Sequence, residues 1–344
     1  MRRLTVVTLL TAVCAAVGAA PPPADQEALL EPLAPRSLLL DIVAIPGDGA
    51  LLAVGERGHV LLSHDGGRNW EQQPTPSRAN LTAVTFADVS HGWAVGHDEV
   101  ILRTTDSGRS WSRVHFAPER QQPLLAVSFD GFGHGLAVGA FATVYRSDDA
   151  GVSWQPARFD PQPLPAARGA HSAPKRDAMR EDEGISQPHL YAIARGGGGV
   201  LYIAGEAGHL FRSDDAGQSW FELPSPYEGS FFGLLPLDGS ALLAFGLRGH
   251  LVRSEDAGRS WQPLVSHTEA LLAGGTRLPD GTLVIVGLAG TVLVSRDGGH
   301  EFQLYPQADR KGFDAVAAAG PGAIVLTGEG GARRLELAAL GGGG

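Results

Sequence analysis

Six aspartates stand in a recurring eight-residue pattern, and carboxylates that recur in this way could serve either catalysis or turn formation. Each follows a serine or threonine by two positions and precedes a glycine by two and an aromatic residue by five. The aspartates are Asp65, Asp106, Asp149, Asp215, Asp256 and Asp297, and the aromatic residues are Trp70, Trp111, Trp154, Trp220, Trp261 and Phe302. Six equivalent carboxylates cannot converge on one substrate. The pattern, which we call the Asp box, therefore indicates a tight turn in which the aspartate accepts backbone N–H bonds and the glycine tolerates positive φ.

Asp41 and Asp314 are the carboxylates that could act as a catalytic pair. Glycoside hydrolysis uses two carboxyl groups roughly 5 to 10 Å apart. We expect Asp41 and Asp314 to occupy matching positions of neighbouring inner strands, so they are the catalytic candidates if the protein is an enzyme. The alternative is that they are polar residues lining a hydrated channel.

Histidines and short motifs point away from metal or cofactor chemistry. His59, His209 and His250 share one register in three repeats, but repeats on opposite sides of a ring cannot reach ligation distances of about 2 Å. The sequence contains no HExxH, CxxC, GxSxG or GxxxxGK motif. We expect no metal site and no cofactor, and we favour a protein that is not an enzyme.

The spacing of the boxes predicts the fold. Successive box aspartates lie 41, 43, 66, 41 and 41 residues apart. Four strands of roughly six residues with short turns fill about 40 residues, the size of a propeller blade. Alternating, β-branched segments such as 81–86 favour strands. The chain length then predicts an all-β, seven-bladed β-propeller with four-stranded antiparallel blades.

The seventh repeat carries no Asp box, so the ring needs another closing element. Residues 313–318, 323–328 and 332–337 read as its three inner strands. The segment 27–35 precedes the first inner strand of the chain, where an outer strand is expected. We predict that this N-terminal segment closes the last blade and removes its open edge.

The candidate binding residues lie in turns opposite the Asp boxes. In a four-stranded blade, the turn between the second and third strands shares a face with the links between blades. Five residues of these turns are our binding candidates: Arg57, His97, Asp98, Glu206 and Arg248. Loops of this kind carry function more often than the scaffold that holds them.

The long gap between the third and fourth boxes contains an insertion at about 155–188. It is rich in proline and scattered charge, which predicts a mobile or extended loop. Lys175 and Arg176 are its candidate contacts to a partner; the plainer alternative is a tolerated surface insertion. The rest of 21–340 is expected to form a single domain, with a glycine tail at 341–344.

Residues 1–20 carry Arg2 and Arg3, an apolar run and then small residues, the order of a cleaved signal peptide. We therefore expect a periplasmic or secreted protein without direct membrane insertion, monomeric by itself. The net charge is −10, which disfavours nucleic acid as a partner because acidic surfaces repel phosphate.

A longer unit surrounds the box, with the form Val/Ala-Gly-x-x-Gly-x-[Val/Leu]-x-x-[Ser/Thr]-x-Asp-x-Gly-x-Ser-Trp, visible at 54–70, 204–220 and 245–261. It resembles the photosystem II stability/assembly factor-like family of Asp-box (BNR) propellers. In photosynthetic members the family's implied role is chaperone-like binding of a reaction-centre precursor, partly through surface arginines; Arg57 and Arg248 are the basic turn residues here. The resemblance implies a protein-binding assembly scaffold whose partner belongs to a membrane-protein complex. A sialidase-like or other glycoside hydrolase is the alternative, because Asp boxes also occur in such enzymes.

Overall fold

The computed structural model describes residues 26–131, 133–164 and 187–341. These residues form 28 strands and nine short 3₁₀ helices, arranged as seven sheets. The predicted all-β, seven-bladed propeller is confirmed. Within the described ranges, no helix is both long and apolar enough to cross a membrane.

Each blade adds its strands in chain order from the ring axis outward. The first strand of each blade contacts the first strands of both neighbouring blades, including blade 7 with blade 1, so the ring is closed. The strands are Leu39–Ala44, Leu51–Gly55, Val60–Ser63 and Glu71–Gln73 in blade 1; Leu81–Phe86, Gly92–Gly96, Ile101–Thr104 and Ser112–His115 in blade 2; Leu124–Phe129, Gly135–Gly139, Val144–Ser147 and Gln155–Pro156 in blade 3; Leu190–Arg195, Leu201–Gly205, Leu210–Ser213 and Phe221–Glu222 in blade 4; Phe231–Pro236, Leu242–Gly246, Leu251–Ser254 and Gln262–Leu264 in blade 5; Leu272–Arg277, Leu283–Gly287, Thr291–Ser295 and Gln303–Leu304 in blade 6; Phe313–Ala318, Ala323–Gly328 and Arg333–Glu336 in blade 7.

The 3₁₀ helices are single turns at the ends of strands. They span Ala34–Arg36, Glu56–Gly58, His97–Glu99, Pro118–Arg120, Ala140–Ala142, Gly197–Gly199, Glu206–Gly208, Leu247–Gly249 and Leu337–Gly341.

Seven apolar clusters hold the blades together, one at each interface between neighbours. The second strand of every blade is buried along its whole length. Both faces of that strand lie against apolar side chains, which explains its continuous apolar sequence in place of an alternating one. The box aromatic residue of each blade packs toward the preceding blade, as Trp111 does against Leu52 and Phe86.

The Asp box is a local hydrogen-bonded turn. In the first box, Ser63 Oγ donates to Asp65 Oδ1 at 3.0 Å, Gly67 N–H donates to Ser63 Oγ at 2.9 Å and Asn69 N–H donates to Asp65 Oδ1 at 2.9 Å. The same three bonds recur in the other five boxes. Bonds from Asn69 lower the pKa of Asp65 to about 2, and bonds from Ser153 do the same for Asp149.

Arginines of the third strands link blades 2, 3, 4 and 5 to the box turn of the following blade. Arg103 Nε donates to Ala150 O at 2.9 Å, and Arg253 Nη1 donates to Gly298 O at 2.6 Å. Arg146 and Arg212 make longer bonds of the same kind, to Ala216 O and Ala257 O. The position is visible in the sequence as the arginine directly before the serine or threonine of a box, a signal that the pattern analysis did not use.

The predicted closure of blade 7 by the N-terminal segment is wrong in its main feature. Blade 7 has three strands among the described residues. The segment instead follows the outer edge of blade 1, where Gln72 exchanges hydrogen bonds with Leu29 O and Glu31 N–H. It reaches blade 7 through one bond, from Ala332 N–H to Pro35 O at 3.0 Å. Apolar packing and Arg334, rather than a shared strand, close the ring.

The described start of the insertion is extended and bound to blade 4. Gln162–Pro163 pairs in parallel with Phe221–Glu222 and adds a fifth strand to that blade. Phe159 packs edge to face on Phe211, with ring centroids 4.9 Å apart. Lys175 and Arg176 lie outside the described residues.

Candidate binding face

One face of the ring, which we call the link face, is formed by the turns between second and third strands and by the links between blades. In six blades the middle residue of this turn has the left-handed backbone conformation although it is not glycine. These residues are Arg57, Asp98, Phe141, Ala207, Arg248 and Ala289, with φ between 50° and 57°. Because non-glycine residues adopt this conformation at a cost, the repeated turn is a built feature of the face.

The predicted binding residues lie on this face but do not form one cluster. Arg57, His97 and Arg248 are exposed, and Asp98 and Glu206 are partly buried. Arg57 belongs to blade 1 and Arg248 to blade 5, so blades 2 to 4 separate them on one side of the ring and blades 6 and 7 on the other.

Glu206 has a structural contact that its sequence position did not reveal. Its carboxylate accepts the N–H of His189 at 3.2 Å, at the entry to the first strand of the same blade. In the same way, the carboxylate of Glu56 accepts the N–H of Leu38, and that of Glu329 accepts the N–H of Gly312. A glutamate at the start of this turn therefore holds the incoming link in three blades.

Every first strand carries a β-bulge near the link face. The residue before the bulge pairs with the last glycine of the second strand. The next residue of the first strand has no partner, and pairing resumes with the residue after it. The bulged residues are Leu40, Thr82, Leu125, Tyr191, Phe232, Ala273 and Asp314, and all are partly buried. They surround the axis at the end of the ring that the link face covers.

The bulges correct the expectation that Asp41 and Asp314 occupy matching positions. Asp314 is the bulged residue of blade 7, whereas Asp41 pairs with Val54 one position beyond the bulge of blade 1. The five blades other than 1 and 7 have alanine or glycine at the position of Asp41, and blade 7 has Ala315. The two carboxylates therefore occupy different positions in the strand pairing.

Asp41 links the first two blades. Its Oδ1 accepts the N–H of Ile42 and its Oδ2 accepts the N–H of Val84 on the first strand of blade 2, both at 2.8 Å. Burial raises its pKa to about 7, although these two bonds favour the charged form. Asp314 behaves similarly, since burial and the negative charge of Glu329 raise its pKa to about 6.

A row of aromatic rings runs from the link face to the axis across blades 3, 4 and 5. We call Phe141, His189, Tyr191 and Phe232 the aromatic row. Successive ring centroids are 4.7, 6.1 and 4.4 Å apart, and the Tyr191 and Phe232 rings are stacked. Phe141 is 51% exposed. Exposed aromatic side chains supply large contact areas at protein interfaces.

The sequence analysis missed the aromatic row. None of its four residues is among the binding residues predicted from the sequence. The one signal available was the aromatic residue that follows the first position of the first strand in blades 4 and 5, as in Leu190-Tyr191 and Phe231-Phe232.

A buried ionic cluster lies between blades 2 and 3, directly beneath the His97–Glu99 turn. Glu99 is fully buried; it accepts a bond from Tyr145 OH at 2.7 Å and lies 3.4 Å from Arg120 Nη1. Burial, followed by the bond to Glu99, raises the pKa of Tyr145 to about 12. A tyrosine beside a carboxylate could act as a nucleophile, but no surface of Glu99 is open to a substrate, so the cluster joins the two blades.

Comparison with known proteins agrees with the resemblance in the repeats. The family described as photosynthesis system II assembly factor YCF48 matches residues 31–155, which include blades 1 and 2 and the first three strands of blade 3. Over these residues the chain resembles the photosystem II assembly factor propellers. Two chloroplastic photosystem II stability/assembly factors HCF136 are similar: the protein of Oryza sativa subsp. japonica is 33% identical over 99 residues, and that of Cyanidioschyzon merolae is 35% identical over 103. These matches cover 26% and 29% of this chain and only 23% and 22% of the curated relatives.

Solved structures share the fold of this propeller over most of its length. A structure described as YCF48 bound to D1 peptide has a TM-score of 0.65 at 19% identity and covers 88% of this chain and 94% of its own. YCF48 from Cyanidioschyzon merolae has a TM-score of 0.65 at 18% identity, with 86% and 94% covered. The WD40 propeller domain of Doa1 is nearly as similar, with a TM-score of 0.64 at 13% identity and 91% and 95% covered. At these identities the likeness concerns the fold alone.

Proposed function

We propose that the protein is an exported assembly scaffold whose link face binds a protein partner from a membrane-protein complex. The aromatic row is the observation that carries this proposal. It places an exposed ring, Phe141, at one end of a series of ring contacts that reaches the axis. Surface aromatic residues of this kind are typical anchors of protein interfaces.

The similar proteins support the same class of function. The HCF136 relatives are stability and assembly factors by description, and one similar YCF48 structure contains a D1 peptide. Arg57, His97 and Arg248 would add polar contacts elsewhere on the link face, and Lys175 and Arg176 would extend them if the insertion takes part. Export would rest on the leader at residues 1–20, which lies outside the described residues.

Site-specific photocrosslinking tests the proposed face. A photoreactive phenylalanine analogue replaces Phe141 in one variant and Val152 in the other; these residues are 51% and 58% exposed, and Val152 lies in the blade 3 box on the opposite face. With membranes of the source organism, we expect one defined adduct at position 141 that excess wild-type protein suppresses and excess Phe141→Ala does not. Equal adducts at both positions, or none at 141, would reject the link face.

The glycoside hydrolase alternative has less support. Both carboxylate oxygens of Asp41 accept backbone hydrogen bonds, and Asp314 does not share its strand position. Assay of the wild type and of Asp41→Asn on a glycan panel tests it directly. Turnover by the wild type that is lost in the variant would overturn the scaffold proposal.

A further inference from the structure

In the ranges that the structure describes, the third strand of blade 7 has a free edge on the rim of the ring. Leu337 N–H donates to Gly322 O at 2.8 Å, which marks these two residues as a hydrogen-bonded pair. Bonding alternates along an antiparallel ladder, so the N–H and C=O groups of Arg334 and Glu336 point away from the second strand. Among the described residues, no backbone partner occupies this side.

In other blades the fourth strand occupies the corresponding position. Arg103 pairs there with Ser112, and Arg253 pairs with Gln262. The N-terminal segment reaches only Ala332, at the link-face end of the edge. It is held along blade 1 by bonds from Ala28 N–H to Thr75 O and from Arg78 Nε to Glu27 O.

A groove of about 490 Å³ lies beside this edge, between blades 6 and 7. Its apolar lining includes Leu304, Tyr305, Leu335 and Leu340. On the side facing blade 1, the edge borders a second depression of about 480 Å³ lined by Asp65, Arg68, Arg334 and Glu336. A strand added here would therefore place alternate side chains in an apolar and in a charged environment.

We infer that the blade 7 edge binds a short extended segment of another protein by strand addition. An extended backbone is the ligand that satisfies outward-facing N–H and C=O groups in alternation, and the groove selects a large apolar side chain flanked by polar ones. This rim site is separate from the link face. Failure of crosslinking at position 141 and failure at this edge are therefore distinguishable.

The test uses a synthetic peptide with the sequence of residues 110–116, Ser-Trp-Ser-Arg-Val-His-Phe, which contains the fourth strand of blade 2. Amide exchange is followed by NMR on the full chain. We expect the amides of Arg334 and Glu336 to exchange at least about tenfold more slowly with saturating peptide than without it. Two further peptides carry N-methyl groups on one or the other set of alternate residues. They should differ in the protection that they give to Arg334 and Glu336, because only one set of peptide N–H groups faces the edge.

Groove variants supply the matched control. Ala338 and Ala339 are both exposed, but only Ala339 lines the groove. Ala339→Trp should abolish protection by the peptide, and Ala338→Trp should leave it intact. Slow exchange of Arg334 in the free monomer would mean that the chain covers its own edge, and protection that depends on protein concentration would mean that a second copy does. Either result, or no protection by the peptide, overturns the inference.

Discussion

Arg334 Nη1, on the last strand of the ring, donates a hydrogen bond of 2.6 Å to the carbonyl oxygen of Gly66 in the first Asp box. The same group donates to Ala319 O at 2.9 Å. Four other arginines make the equivalent bond to the box of the next blade. The two ends of the propeller are thus joined by the same contact that joins blades within it.

Removal of this contact should weaken ring closure. We expect Arg334→Ala to lower the free energy of unfolding by about 1.5–3 kcal/mol, since a charged donor is lost and two partly buried carbonyls remain. Chemical denaturation followed by tryptophan fluorescence measures the change. Arg259→Ala, at an exposed box position, is the matched control and should change stability by less than about 0.5 kcal/mol. Equal effects of the two substitutions would contradict the closing role.

Asp41 should make stability fall as the pH rises. Its pKa is raised from 3.8 to about 7 in the folded protein, so between these values the folded state holds a proton that the unfolded state has released. The free energy of unfolding therefore decreases from about pH 4 to about pH 7, by at most about 4 kcal/mol from this group. Denaturation of the wild type and Asp41→Asn across this range should give curves that diverge.

Asp314→Asn provides the comparison for Asp41, because the pKa of Asp314 is raised only to about 6. The decrease in the free energy of unfolding that Asp314 causes should end near pH 6, whereas the decrease that Asp41 causes should continue to about pH 7. If the wild type and Asp41→Asn have parallel profiles from pH 4 to 8, the raised pKa of Asp41 is wrong.

The link-face turns should tolerate no side chain at Gly58. Its φ is 73°, and an added Cβ would lie 1.9 Å from Ser77 O. Gly298 has a similar φ of 76° with open space around it. We expect Gly298→Ala to cost about 1–2 kcal/mol through the backbone alone, and Gly58→Ala to cost about 2 kcal/mol more through the clash. Thermal unfolding of both variants checks the difference, and equal losses would argue against a tight turn.

The buried cluster beneath the His97–Glu99 turn should depend on the hydroxyl of Tyr145. Tyr145→Phe removes a donor from the fully buried Glu99, and we expect a loss of about 1.5–3 kcal/mol in the free energy of unfolding. Tyr305→Phe removes a hydroxyl that bonds Gln303 at the surface and should cost less than about 0.5 kcal/mol. A stable Tyr145→Phe variant would show that Glu99 does not need this partner.

Features that depend on pairing register were not predictable from the sequence pattern. Asp41 and Asp314 both stand in first strands of similar composition, and only the ladders show that a bulge separates their positions. The position of the N-terminal segment before the first strand predicts closure of blade 7, but the bonds of Gln72 hold this segment on blade 1. Both errors concern contacts between segments far apart in the chain, on which local propensity carries no information.

The sequence by itself determined the four-stranded blade, the number of blades and the Asp-box turn. The bonds of an Asp box join residues within one short stretch, and the box repeats at the length of four strands. Tertiary structure decided what the ring presents. Phe141, His189, Tyr191 and Phe232 belong to three blades and meet only when those blades pack side by side. In the described part of the chain, blade 7 lacks a fourth strand because residues 27–35 lie along blade 1. Local hydrogen bonds can be read from spacing, whereas surfaces arise from the packing of distant segments.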